Sequence, residues 1–392
     1  MDIPARPRFL IIGGGIMGSV TAYELACAGH AGDTIVIEPD PTYEFAATPR
    51  AVGGIRLQHA IPENVEMSLY GDTVYSDIGK AVTGGAVQFD PQFRRIGYLY
   101  CVEGAEDLKA LEACVATQRG FGVRVDIFSA EELRARWPAY TFAGVDAGAY
   151  SPDDGQIDPY AALMHYRRAA EGRGVRYVKD RVTGLEHAGG RVTAAVLESG
   201  ARLAPEMVVC VANCWAPPLC AMVGMPVPVV PKPRQQFRFT TEKPFPAFPA
   251  MRFANGRSVR PHQDSLIAGW MRPDQEAGFF WDLDHQVFDD VLWPWLAEQA
   301  PAFEAIKQRG GWLGHYDVNL LDGNMILDVA PHLSNYFIAV GFTGHGLQHA
   351  PAVGRALREL MLTGRFQTID LSRMGYRRVM ENAPLEDHGP KA

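Results

Sequence analysis

Residues 8–38, RFLIIGGGIMGSVTAYELACAGHAGDTIVIE, restrict the chain more than any other stretch. Apolar Phe9–Ile12 reads as a strand, Gly13, Gly15 and Gly18 follow in G-x-G-x-x-G spacing, a helix runs through Ala28, and a second strand, Thr34–Ile37, ends in Glu38. In such a βαβ unit the first glycine permits a tight turn, the second lets backbone approach a pyrophosphate, and the third lets helix and strand pack closely. The N–H groups at the helix start have no partners inside the helix and face the anion. An acid about twenty residues beyond the last glycine accepts hydrogen bonds from the hydroxyls of an adenosine ribose. Glu38 therefore favours NAD or FAD over NADP, and the unit alone does not separate NAD from FAD.

A chain of 392 residues holds two or three domains' worth of mass, and 47% hydrophobic with 21% charged residues suits a soluble enzyme. The net charge of −8 argues against nucleic acid or an acidic membrane surface as a partner, because no basic stripe exists to release counterions. No apolar run reaches bilayer length, and the first strand begins too early to leave room for a signal peptide, so a cytoplasmic protein without a membrane span is expected. Cys27, Cys101, Cys114, Cys210, Cys214 and Cys220 lie in apolar contexts and are expected in the core. The spacing of the last three is a poor zinc pattern, and no metal is expected. Arg94–Arg95 and Arg377–Arg378 read as solvated faces.

Beyond Glu38, ATPRAVGGIRLQHA (residues 47–60) places Arg56 and His59 after the paired Gly53–Gly54, where backbone can approach a ligand. Helices are expected over 62–82 and 104–119, a strand over 95–102, and a helix capped by Ser129 and Glu132. The acids of AYSPDDGQIDPY (149–160) suit the cap of a helix, Pro159–Glu171, better than a metal. From Val175 a strand, a three-stranded meander and a buried strand Met207–Ala212 follow, with Asn213 suited to a left-handed turn. An extended segment over 227–241, broken by Pro231 and Pro233, and a strand pair over 258–270 predict a second, mainly antiparallel sheet. Helical stretches Gln286–Gln299, kinked at Pro294, and Ala302–Gln308 are expected to pack on it. Residues 334–362 then give a buried strand, a glycine-rich turn and a helix with Val353, Leu357, Leu360 and Met361 inward. That turn is a second anion-stabilising device, and a reduced flavin carries negative charge at its pyrimidine end.

The opening unit with Glu38, VGGIR, VVCVANCW, DGNMILD and GFTGHGLQHAPAVG together resemble the FAD-dependent oxidoreductases of the D-amino acid oxidase and sarcosine oxidase (glycine oxidase-like) superfamily, over nearly the whole chain. The GHYDVN and GLQHAPAVG segments are similar to the branch of FAD-dependent oxidoreductase domain proteins associated with respiratory-complex assembly. The resemblance implies an α/β FAD-binding Rossmann-type domain, discontinuous over 1–71, 149–219 and 320–392. It also implies an α+β substrate domain with a mainly antiparallel sheet, over 72–148 and 220–319. FAD would be held by Gly13, Gly15, Met17, Gly18 and Glu38 at its ADP half, and by Thr48, Ala51, Val52, Gly53 and Gly54 at the phosphates and flavin edge. Val182 would meet the adenine through its backbone, Ala212, Asn213 and Trp215 would follow the return strand, and Gly341, Thr343, Gly344, His345, Gly346, Leu347 and Gln348 would face the ring.

Departures from sarcosine oxidases are specific. His315, seven residues before Asp322, replaces a cysteine that carries covalent flavin, which excludes a thioether there. His59 and Gln348 stand where those enzymes have a basic residue and a lysine, which argues against sarcosine itself. Asn213 replaces a glycine two residues before the tryptophan.

The implied chemistry is oxidation of the C–N bond of an amine or amino acid, secondary, N-substituted or D-configured, by hydride transfer to flavin N5, with oxygen or another electron acceptor as second substrate. His59, His315, His345 and Tyr316 are candidates for removing the ammonium proton, and Arg56 for holding a carboxylate or the flavin carbonyl. Arg252 and Arg260 are further candidates. A non-catalytic FAD-binding assembly or scaffold protein and an NAD-dependent dehydrogenase are the alternatives; the C-terminal glycine turn counts against the latter.

Overall fold

In the computed structural model, which describes residues 4–83 and 90–389, the four apolar side chains of the strand Phe9–Ile12 are at most 4% exposed. The strand lies centrally in a six-stranded sheet, flanked in parallel by Thr34–Ile37 and Met207–Cys210. Arg176–Val178 extends the sheet on one side, and Tyr336–Val340 with the antiparallel edge strand Ile326–Val329 extends it on the other. Segments far apart in sequence thus converge on one sheet, and burial on both of its faces explains why these strands read as unbroken apolar runs. Residues 1–3, 84–89 and 390–392, parts of the two expected domains, lie outside the described residues.

On one face, the helix Ile16–Leu25 is enclosed by Pro159–Glu171 and Gly346–Thr363, so nearly its whole circumference is buried. Its polar members bond within the turn: Ser19 donates to the Gly14 carbonyl at 2.9 Å and Thr21 to that of Met17 at 2.8 Å. A methyl group on Gly354 would come within 2.5 Å of Val20, so the closing helix approaches the first one at backbone distance. Val353, Leu357 and Met361 are buried, as their helical spacing predicts, whereas Leu360 is half-buried. The meander Val182–Ala188, Arg191–Leu197 and Arg202–Leu203 covers the opposite face.

A second sheet has eight strands in the order Ile306–Asn319, Val229–Thr241, Ser265–Trp270, Arg257–His262, Ala250–Phe253, Tyr98–Val102, Ala147–Ser151 and Asp126–Ser129. It is mixed rather than simply antiparallel, because Ala250–Phe253 pairs in parallel with Tyr98–Val102. That junction joins two stretches of chain about 150 residues apart, and no turn between the strands forces them to run oppositely.

Other expectations change. Val229–Thr241 is one continuous strand through Pro231 and Pro233: those residues pair only with Ile306–Asn319, while the other neighbour, Ser265–Trp270, joins from Gln236 onward. The Pro231 carbonyl accepts from Gly278 N at 2.8 Å, on the side away from Ile306–Asn319, so the missing proline N–H groups lie on the edge that makes no ladder there. Ala302–Gln308 is not helical, since a 3₁₀ turn at Pro301–Phe303 leads into the strand beginning at Ile306. Cys27 is exposed, while the other five cysteines are buried. Arg378 is also buried, with its Nε 2.8 Å from Asp322 and further bonds to the Asn324 and Met325 carbonyls. The expected caps are present: Ser129 and Glu132 form a reciprocal box, and Asp158 accepts from Ala161 N at 2.9 Å.

Candidate active site

A cavity of about 1000 Å³ runs from the opening glycine turn to the inner face of the eight-stranded sheet. At one end Gly13, Gly15, Met17, Glu38 and Thr48 line it. Glu38 accepts from Gly14 N at 2.7 Å and from Asp40 N at 2.9 Å, and Thr48 Oγ1 accepts from Ile16 N at 3.3 Å. Burial raises the Glu38 carboxyl above its ordinary range, against the pull of those two amides. A methyl group at Gly15 would meet nothing closer than Thr48 Oγ1 at 3.7 Å, so its bare backbone is open to the cavity. Gly18 stands behind the wall: its Cβ would lie 1.8 Å from the Gly13 carbonyl oxygen, so its role is packing within the turn.

Along the middle lie Ala51, Val52, Gly53, Gly54, Val182, Ala212, Asn213 and Trp215. Asn213 adopts φ +51°, the left-handed turn its identity suggests. Thr343, Gly344, His345, Gly346, Leu347 and Gln348 form the facing wall, at the start of the helix Gly346–Thr363. Gly341 lies outside the cavity, against Asn319 and Val229. The buried Asp317 carboxylate accepts from Gly341 N at 2.8 Å and Phe342 N at 3.1 Å, and so fixes this turn. Burial pushes that carboxyl up to about 6.

Arg56, His59, His315 and Tyr316 all reach the same cavity. Arg56 donates to the Tyr100 hydroxyl, to the Gln58 carbonyl at 3.3 Å and to His345 Nε2 at 2.5 Å. Gln348 Oε1 accepts from Arg56 N at 3.2 Å, so its amide nitrogen is the group that donates to His59 Nε2 at 2.8 Å. Both imidazoles consequently offer lone pairs at Nε2 and carry their proton on Nδ1. Burial, then the Arg56 charge, holds His59 and His345 well below the usual histidine range, and the same pair of causes brings His349 down to about 3.

His315 differs from this cluster. It is 3% exposed, sits against the rings of Trp281 and Phe279, and has neither nitrogen in a hydrogen bond of normal geometry. The Phe280 and Gly278 backbones favour its charged form, but burial outweighs them and its pKa is lowered. Asn213 Oδ1 and Arg234 Nε are likewise buried without a hydrogen-bond partner, and all three residues line the cavity. A polar ligand fits a wall that leaves such groups open.

Of the sheet's contribution, sequence patterns named Arg252 and Arg260 and missed Gln236, Gly269, Ser258, Tyr98 and Tyr100. Gln236, Gly269, Ser258, Arg252 and Tyr100 form one row across five adjacent strands, by direct register, and all five line the cavity. Arg260 donates to the Tyr98 hydroxyl at 3.0 Å and to the Val52 carbonyl at 3.3 Å. Burial alone would raise the Tyr98 phenol, yet Arg260, Arg252 and Arg56 outweigh it and lower its pKa. The spacing of Tyr98 and Tyr100 on one strand face was the available signal. Asp154 had none: it is fully buried and accepts from Leu57 N, Gln58 Nε2 and Ser151 Oγ, each at 3.0 Å. Burial pushes its carboxyl up to about 7.

A parallel sheet opening on a glycine turn, an acid at the end of its second strand and a second turn facing the same cavity define a flavin-dependent oxidoreductase that uses FAD. Residues 8–360 match the FAD dependent oxidoreductase (DAO) family, and the chain belongs to it. FAD-dependent oxidoreductase domain-containing protein 1 of Xenopus laevis is 32% identical, over 97% of this chain and 84% of that protein. Among solved structures, L-proline dehydrogenase from P. horikoshii shares the fold with a TM-score of 0.86, at 23% identity over 98% of this chain and 100% of the other. Glycine oxidase from Geobacillus kaustophilus does so at 0.81, with 21% identity over 95% and 98%. The family resolves the open choice at the first turn in favour of FAD over NAD. Among the described residues no helix is long and apolar enough to cross a membrane, and no group of three or more His, Cys, Asp or Glu could hold a metal ion.

Proposed function

We propose that the protein oxidises the C–N bond of an amino acid or an N-substituted amino acid, with the carboxylate held by arginines of the eight-stranded sheet and by Arg56 of the loop beside it. The observation that carries this reading is the concentration of Arg56, Arg234, Arg252 and Arg260 with Tyr98, Tyr100 and Tyr316 at one end of the cavity. Two relatives of like fold are named for amino acids, proline and glycine, in keeping with it. In this reading residues 1–71, 149–219 and 320–392 hold FAD, and 72–148 and 220–319 supply the substrate side.

FAD supplies the two-electron acceptor, which oxygen or another acceptor then reoxidises. Its anionic ADP half fits the open amides at Gly15 and the helix start, and Glu38 suits the ribose hydroxyls. The chain's task at the other end is to keep the substrate amine neutral, so that its lone pair is available. A cationic, poorly solvated cavity does this directly, by lowering the pKa of an ammonium brought into it. The same field already lowers Tyr98 and the histidines. The ammonium proton leaves to solvent as the amine enters, and His59 and His345, whose lone pairs are engaged by Gln348 and Arg56, act as fixed neutral walls. His315 and Tyr316 line the same cavity, the Tyr316 ring packing against Gly344 beside His345, and contact the ligand by hydrogen bond.

Anaerobic mixing of the FAD-loaded protein with secondary amines, N-methyl amino acids and D-amino acids tests the reading. Bleaching of the flavin absorbance by at least one of them is expected. If none bleaches it while a 2-hydroxy acid does, the C–N reading is wrong; if nothing does, the protein uses FAD as a structural element.

A further inference from the structure

The arginines at the sheet end exceed what one substrate carboxylate requires. None of the ion pairs among the described residues involves Arg56, Arg234 or Arg260. Acids that line the cavity are committed elsewhere. Glu38 and Asp40 accept from backbone amides beside the first glycine turn, Asp317 from Gly341 and Phe342, and Asp322 pairs with Arg378. Asp387 accepts from Gly389 in the C-terminal tail.

The four cations fall into two arms. Arg56 and Arg260 bond to Tyr100 and Tyr98, which stack on each other with centroids 5.5 Å apart. Arg234 lies on the other side, its guanidinium carbon 5.2 Å from the Tyr316 ring centre and its Nε buried without a hydrogen-bond partner. Arg252 stands between them, close enough to Tyr98, Tyr100 and Tyr316 for each hydroxyl to act on its charge. Buried guanidinium groups are stabilised by anions brought to them, and the forked donor geometry selects carboxylate or phosphate over neutral groups.

Resting on the proposed C–N oxidation, we infer that the substrate is dianionic: an amino acid or secondary amine with two carboxylates, one held at the Arg56–Arg260 arm and the second at Arg234, with Arg252 between them within reach of both. Between the arms the Gln236 amide lies over Gly269, where a Cβ would come within 2.7 Å of it, so Gln236 and Ser258 present polar groups to the chain that connects the two carboxylates.

The test uses the FAD-loaded protein and non-oxidisable probes, so that binding is read apart from turnover. Malonate, succinate and glutarate are each compared with their monoamide by calorimetric titration and by perturbation of the flavin spectrum. At least one diacid is expected to bind about 10- to 100-fold more tightly than its monoamide, the span of one charge-assisted contact. Arg234→Gln should bring the diacid and monoamide affinities within about twofold of each other, and Arg234→Lys should retain part of the gap. Equal binding of every diacid and its monoamide by the unaltered protein overturns the inference, as does a gap that survives Arg234→Gln. If diacids bind selectively but no amine bleaches the flavin, the dianion site stands and the C–N reading falls. If monocarboxylate amines bleach it while diacids have no advantage, the C–N reading stands and the dianion site falls.

Discussion

Arg56 donates through Nη2 to His345 Nε2 at 2.5 Å, which ties the loop after the first two glycine-bearing segments to the last glycine turn, 289 residues away. A guanidinium that donates to an imidazole lone pair also repels the imidazolium form. Replacing Arg56 with Gln should therefore raise the pKa of His345, in addition to weakening the hold on substrate. A loss of about 100- to 1000-fold in kcat/KM for flavin reduction is expected, carried by both kcat and KM, and stopped-flow reduction measures it. A variant with unchanged kinetics would remove Arg56 from the site.

Asp154 acts on this site through the loop that carries Arg56, and is a positioning residue. Because its carboxyl titrates at about 7, the bonds to Leu57, Gln58 and Ser151 are made by an ionised carboxylate above neutrality and by a protonated one below it. The pH profile of flavin reduction should carry an inflection near 7 that Asp154→Asn abolishes, with a rate about tenfold lower on the alkaline side. A profile that keeps the inflection in Asp154→Asn would assign it elsewhere.

His349 is buried neutral, its Nε2 3.0 Å from Ser68 Oγ, with a folded pKa of about 3 against an ordinary value of 6.5. Below 6.5 the unfolded chain binds a proton that the folded chain refuses, so stability falls as pH drops toward 3 and is unaffected above 6.5. One such group costs about 2 kcal/mol between pH 6.5 and pH 5. Urea unfolding at pH 7 and pH 5 should show a difference smaller by that amount in His349→Gln than in the unaltered protein.

Arg378 and Asp322 form a buried ion pair whose partners also satisfy backbone groups at Asn324, Met325 and Leu385. Removing one member strands the other. Arg378→Met is expected to lower the unfolding free energy by about 3–5 kcal/mol, measured by chemical denaturation. A change under about 1 kcal/mol would mean that solvent reaches the pair.

The pair is also a place where local sequence misleads. Two adjacent arginines near the C-terminus look solvated because nothing nearby in sequence needs them, and Asp322 lies 56 residues upstream. Pro231 and Pro233 mislead in the same way: the rule against proline in a strand concerns ladders, and whether a ladder exists on that side depends on where Ser265–Trp270 begins to pair. Asp154 looked like one more turn acid beside Asp153 and Asp158, yet Asp153 pairs with Arg124, Asp158 caps a helix, and Asp154 alone is buried.

By itself the sequence determined the dinucleotide half. The strand, turn, helix, strand and acid of residues 9–38 interact over short distances, so their spacing carries the geometry, and the cofactor turns that follow are built from backbone that glycine leaves open. Tertiary structure alone decided how the substrate end is assembled. The sequence offered Arg56, Arg252 and Arg260 singly, whereas strand pairing sets Arg234, Arg252 and Arg260 on one sheet and the cavity wall adds Arg56 from the loop after Gly54–Ile55. Register across a sheet is a non-local property, and no spacing along the chain announces which side chains will share a row.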